Sequence, residues 1–168
     1  MLRFLVFPLL ILLQACSPSL NWREVRAGDL KAMLPCKPDQ AVRRQSLAGY
    51  EIELTMQGCE AGGALYAISV AELGTPVQAQ QVQAQWQTNM LATLQAQGAI
   101  RQAYAIRGAN TQPEAVQMQA SGRAEDGRAL TVQAVWFMRG TRLYHAAVYA
   151  ERLTAEMSEP FFGGMELP

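Results

Sequence analysis

The run Tyr50-Glu51-Ile52-Glu53-Leu54-Thr55-Met56-Gln57 alternates apolar and polar side chains without a break. Period two puts Tyr50, Ile52, Leu54 and Met56 on one side of an extended chain and Glu51, Glu53, Thr55 and Gln57 on the other. A helix would scatter these residues around its axis, so the segment reads as a half-buried strand. Ala41 to Leu47 precedes it as a partner, with Ala48-Gly49 as the turn of a hairpin. Glu60 to Gly63 makes a second turn, and Ala64 to Leu73 a third strand. Upstream, Trp22 and Val25 are the first apolar anchors, Arg26 to Asp29 reads as a turn, and Leu30 to Leu34 as a short strand stopped by Pro35-Cys36-Lys37-Pro38.

From Leu73 to Ile100 the character changes, because no charged residue occurs between Glu72 and Arg101. Thr75 can cap a helix with Pro76 at its first position, and Gly98 stands where such a helix should stop. Val82, Trp86, Met90 and Leu94 recur at four-residue steps, one apolar stripe on a helix over about 76–97. Its glutamines, Gln83 and Gln87 among them, read either as a neutral solvated face or as an uncharged surface that docks a partner.

After Gly98 the strand pattern returns. Arg101 to Ile106 is a plausible strand and Arg107 to Pro113 a loop. Val116, Met118 and Ala120 alternate with Gln117, Gln119 and Ser121. Asp126-Gly127 is the centre of a tight hairpin turn, and Ala129 to Met138 answers on its far side. Arg139 to Thr141 turns into Arg142 to Glu151, and Thr154 to Glu159 reads as a short helix followed by Pro160-Phe161-Phe162. Strands, a long helix, strands and a short helix predict an α+β fold: an antiparallel sheet of about six or seven strands covered by one long helix and a short C-terminal helix.

Ahead of the folded part, Arg3 is the only charge before Arg23, and Phe4 to Leu13 is almost continuously apolar. That run suits the core of a signal peptide and falls well short of the ~20 residues of a spanning helix. It ends in Leu13-Gln14-Ala15-Cys16, which resembles the lipobox of bacterial lipoproteins; an ordinary secretory peptide or an uncleaved anchor are the other readings. The resemblance implies cleavage before Cys16, a thioether-linked diacylglycerol and an N-acyl chain of the palmitate type on that cysteine. Ser17, where retained inner-membrane lipoproteins of Gram-negative bacteria usually carry Asp, implies the outer membrane, facing the periplasm. The chain then divides into a signal peptide (1–15), a lipidated cysteine and tether (16–20) and one periplasmic domain (21–168).

Without residues 1–15 the 168-residue chain keeps 153, enough for one core and too few for two comfortable ones. Thirteen basic residues then face 14 acidic ones with no basic run, which excludes an electrostatic footprint for nucleic acid. With Cys16 lipidated, Cys36 and Cys59 remain as an even pair in an oxidising compartment, and a structural disulfide is expected. One histidine is too few for a zinc site with two cysteines, and no C-x-x-C marks a redox thiol.

An early Trp, the Leu34-Pro35 strand end, repeated hairpins and a closing Phe-Phe helix resemble the PsbP-like fold. The segments Pro35-Cys36-Lys37-Pro38 and Cys59-Glu60-Ala61-Gly62 resemble a pair shared by small uncharacterised lipoproteins of proteobacteria, a resemblance that implies no activity.

His145 is the one side chain with a pKa near neutrality. No G-x-S-x-G, H-E-x-x-H or P-loop accompanies it, so it reads as a packing residue before a hydrolase base. Glu51 and Glu53 are spaced as a glycosidase pair could be, and equally as any solvated strand face. Arg43-Arg44 could pair with them across the hairpin at little energetic weight. The expectation is a non-enzymatic, lipid-anchored envelope protein without cofactor or metal, binding an unknown envelope partner or supporting an envelope assembly. The alternative is a small hydrophobic-ligand-binding lipoprotein with its pocket between sheet and helix around Trp86 and Trp136; a hydrolase centred on His145 ranks below both.

Overall fold

The computed structural model describes residues 20–168, so the signal segment, Cys16 and Ser17 lie outside the described residues. The fold is α+β. Seven antiparallel strands form one sheet: β3 (Asp39–Leu47), β4 (Tyr50–Ala61), β5 (Ala64–Glu72), β6 (Ile100–Ala103), β7 (Val116–Arg123), β8 (Ala129–Arg139) and β9 (Arg142–Ala150). Their order is β3-β4-β5-β9-β8-β7-β6. The first two strands, β1 (Arg23–Ala27) and β2 (Leu30–Leu34), pair only with each other. Helix α1 (Pro76–Thr93) packs on one face of the large sheet; the β1–β2 hairpin and α2 (Ala155–Gly163) pack on the other.

The alternation in β4 sorts its side chains between these faces. Ile52 and Leu54 are buried under α1, whereas Glu51, Glu53 and Thr55 are exposed. Gln57 departs from that exposed pattern: β4 continues to Ala61, and the hairpin covers its far end. There Gln57 Nε2 donates to the Arg26 carbonyl at 2.7 Å, which satisfies a buried amide. Cys36 lies just past β2 and is bonded to Cys59 of β4, with Cα atoms 6.0 Å apart. The bridge therefore ties the small sheet to the large one, and Cys59 stands inside its strand rather than at the end. Tyr144 Oη accepts from the Asp29 N–H at 3.2 Å, and the chain end pairs with β2 through mutual Lys31 and Glu166 backbone bonds at 2.9 Å.

Helix α1 starts as its sequence predicts: Thr75 Oγ1 accepts from the Gln78 N–H at 3.2 Å, with Pro76 first in the helix. It stops earlier than 97, after 18 residues. Gln95 takes the left-handed conformation (φ +51°), the Ala96 N–H reaches back to the Leu91 carbonyl and the Gln95 N–H to that of Ala92. This is a Schellman ending with glutamine in the position usually held by glycine. The cause is tertiary. The Leu94 carbonyl accepts from the Arg123 N–H at 2.7 Å, and only a glycine at 122 leaves room for it, since a Cβ there would collide with that oxygen. Gly98 plays no part in the ending.

The buried side of α1 also differs from the four-step stripe. Ala79, Val82, Gln83 and Met90 are buried, with Leu94 just past the helix, while Trp86 is only half-buried. Gln83, expected on the solvent side, is 5 % exposed and donates to the Glu114 carbonyl at 3.3 Å. Further on, the extended segment at 101–106 shortens to β6, which ends at Ala103; Tyr104 and Ile106 turn instead onto the opposite core.

Candidate functional site

His145 lies at the centre of the sheet, opposite Ser69 on β5 and Trp136 on β8. Trp86 of α1 closes over it: the imidazole stands 4.5 Å from one indole and 4.9 Å from the other, between centroids. The ring is 3 % exposed and neither nitrogen has a hydrogen-bond partner. Burial depresses its pKa from 6.5 to about 3, so at neutral pH it is an uncharged aromatic spacer between two tryptophans. A general base needs a partner within reach and a path to substrate; this ring has neither among the described residues. Glu51 and Glu53 stay on an exposed strand face, with Glu53 paired to Arg44 at 3.1 Å. No group of three or more His, Cys, Asp or Glu that could hold a metal occurs among the described residues.

Trp86 and Trp136 separate in role. Trp136 is fully buried, and its Nε1–H has no partner. Trp86 keeps one edge open and forms a wall of a cleft of about 440 Å³ beside α1. Leu47 of β3, Met90 and Leu94 of the helix segment, Leu130 of β8 and Tyr149 of β9 supply the apolar walls. Gln45, Asn89, Thr93, Arg123 and Glu125 supply its polar groups. Burial pushes the Tyr149 hydroxyl up to about 12, so it stays neutral. A half-open cleft of that size, with an apolar floor edged by polar groups, falls in the size range of small-molecule sites. Sequence reasoning reached Trp86 but not the other walls, which come from four separate elements and have no common motif. The one signal was that Leu130 and Tyr149 put large apolar groups at strand ends.

The outer side of α1 is uncharged, with Gln80, Ala84, Gln85, Thr88 and Ala92 exposed. Its other glutamines serve the fold: Gln81 accepts from Tyr50 Oη at 2.8 Å, and Gln87 from Arg101 Nε at 3.2 Å. At the free edge of the sheet β3 exposes Val42 (61 %) beside Arg43 and Arg44; like charges at mid-strand discourage pairing with a second copy.

No helix among the described residues is long and apolar enough to cross a membrane. No family model matches the chain. No curated protein matches it either. A solved protein of unknown function from Pseudomonas aeruginosa is similar over 83 % of this chain and 89 % of its own, at 15 % identity and a TM-score of 0.40.

Proposed function

We propose that this is a lipid-anchored, non-enzymatic envelope protein, held to the outer membrane through Cys16, whose domain binds an apolar group in the cleft beside Trp86. The observation that carries the reading is that cleft: an opening of about 440 Å³ with apolar walls, in a domain whose one histidine is sealed in the core. Large half-exposed aromatic groups beside an apolar hollow are favourable anchors for a partner, because binding completes a burial that folding left unfinished. The opening lies at Trp86 alone, so the pocket reading moves away from Trp136. A second reading, docking of an envelope protein on the glutamine side of α1, is favoured by the uncharged exposed positions there.

Photo-crosslinking from within the cell separates the two. A benzophenone amino acid at Leu130 samples the cleft and one at Gln80 samples the outer side of α1. An adduct from Leu130 alone is the expected result. An adduct from Gln80 alone transfers the function to the helix surface, and none from either position refutes both. Mass spectrometry of the mature N-terminus should show the acyl chains on Cys16; an unmodified cysteine would remove the anchor.

A further inference from the structure

We propose that the cleft takes one acyl chain of a zwitterionic membrane amphiphile, which enters from the bilayer at the anchored end of the domain. This rests on the lipid on Cys16 and on the binding role of the cleft proposed above. The described chain begins at Leu20, whose side chain lies against Gly62 in the β4–β5 turn. Gly62 is also a wall of a second hollow, a notch of about 750 Å³ between the β4–β5 and β7–β8 turns. Notch and cleft share Ala124, Leu130 and Tyr149, so the two hollows adjoin and give the proposed path from the anchored end to Trp86.

Distance brings this path to the membrane. Leu20 follows Cys16 by four positions, which span at most ~14 Å of extended chain. A lipid on Cys16 thus holds the notch close to the headgroups. Leu65, 41 % exposed, lines the notch where a soluble surface would favour a polar residue.

Two adjoining hollows that share Leu130 and Tyr149, with Leu65 in one and Leu47 and Trp86 in the other, suit a chain better than a compact ligand. The rim gives the headgroup. Glu60 and Glu151 line the notch and Glu125 the cleft, and Asp126 lies in the β7–β8 turn, against Arg123 and Arg128. Arg128 is paired with Asp126 at 2.6 Å, and Arg123 Nη1 donates to the Gly127 carbonyl at 2.8 Å. Four carboxylates against two guanidiniums leave the rim net acidic, which disfavours an anionic headgroup and favours an ammonium.

The test uses the full-length lipoprotein in vesicles of phosphatidylethanolamine and phosphatidylglycerol, where a minor fraction of one lipid carries dibrominated acyl chains. Bromine quenches indole emission at contact range, and Trp86→Phe isolates the contribution of the cleft. Brominated phosphatidylethanolamine should quench the parent more than Trp86→Phe, and brominated phosphatidylglycerol should quench the parent less. Equal quenching in parent and Trp86→Phe, with protein that floats with the vesicles, overturns the inference and leaves the anchor standing. Equal loss from the two lipids overturns the headgroup assignment. Protein that fails to float and shows no acyl mass on Cys16 overturns the membrane route and the anchor together. Added dibrominated lysophosphatidylethanolamine in that case tests the cleft by itself: quenching that Trp86→Phe abolishes keeps its chain-binding role, and no quenching removes it.

Discussion

His145 offers a sharp perturbation because it is the chain's one histidine. In the fold its pKa is lowered by desolvation to about 3, and in the unfolded chain it returns to 6.5. Above 6.5 both states hold a neutral ring and the group adds no pH dependence. As pH falls below 6.5 the unfolded chain takes up a proton that the folded protein refuses, so stability drops until about pH 3. The slope approaches ~1.4 kcal/mol per pH unit. Between pH 7 and pH 5 the loss works out to about 2 kcal/mol, which is large against a total of ~5–15 kcal/mol. Urea denaturation followed by tryptophan emission at constant ionic strength measures it at pH 7, 6 and 5. His145→Leu, similar in volume, should flatten the profile over that range. A parent whose stability changes by under ~0.5 kcal/mol, or a His145→Leu variant with the same fall, would refute a sealed neutral ring.

Three further outcomes follow from the packing. Removing the Cys36–Cys59 bridge, which spans 23 residues, should cost ~3–4 kcal/mol; melting of the Cys36→Ala/Cys59→Ala variant checks it, and a loss below ~1 kcal/mol would mean that the hairpin docks without the bridge. Gly122→Ala puts a Cβ onto the Leu94 carbonyl and should cost at least ~2 kcal/mol, with faster amide exchange at Arg123 as the local readout. Gln83→Ala strips a buried amide from its bond to Glu114 and should cost ~1 kcal/mol or more, whereas Gln80→Ala, exposed, should stay within ~0.5 kcal/mol; equal melting temperatures for the two would reverse the assigned faces.

What could be read from the sequence is what local chemistry decides. The alternation from Tyr50 to Met56, a hairpin turn at Ala124–Gly127 with Gly127 at positive φ, and the Thr75-Pro76 helix start each act within a few residues, and each stands in the structure. The end of α1 could not be read, because the carbonyl of Leu94 is claimed by Arg123, far along the chain. Gln83 was misplaced because a glutamine carries no charge to hold it in water and pairs with a backbone group that no pattern marks. Gln57 keeps the strand face its alternation gives it, but that face, solvated at Glu51 and Glu53, is covered four residues beyond Glu53 by the β1–β2 hairpin. The lining of the cleft was the least legible, since it exists only once β3, α1, β8 and β9 stand together.

The cleft is a consequence of how much surface one helix can shield. Seven strands spaced ~4.8 Å apart present a face roughly 29 Å wide, while a helix with its side chains is ~10–12 Å across. Helix α1 follows the strands instead of crossing them. The residue before its approach, Leu73, donates to Thr141 in the β8–β9 turn, and Leu94 at its end accepts from Arg123 beside the β7–β8 turn, at opposite ends of β8. So placed, it shields only part of the width. On the other face the β1–β2 hairpin, α2 and the residues around Tyr104 and Leu167 share the task, and the core there includes Tyr66, Phe137 and Phe161 without a break. On the α1 face Trp86 marks the margin of cover, one side stacked on His145 and one edge open to the cleft. An aromatic group left at such a margin lowers its free energy when an apolar partner arrives, and the uncovered strip beside α1 is where that partner has room.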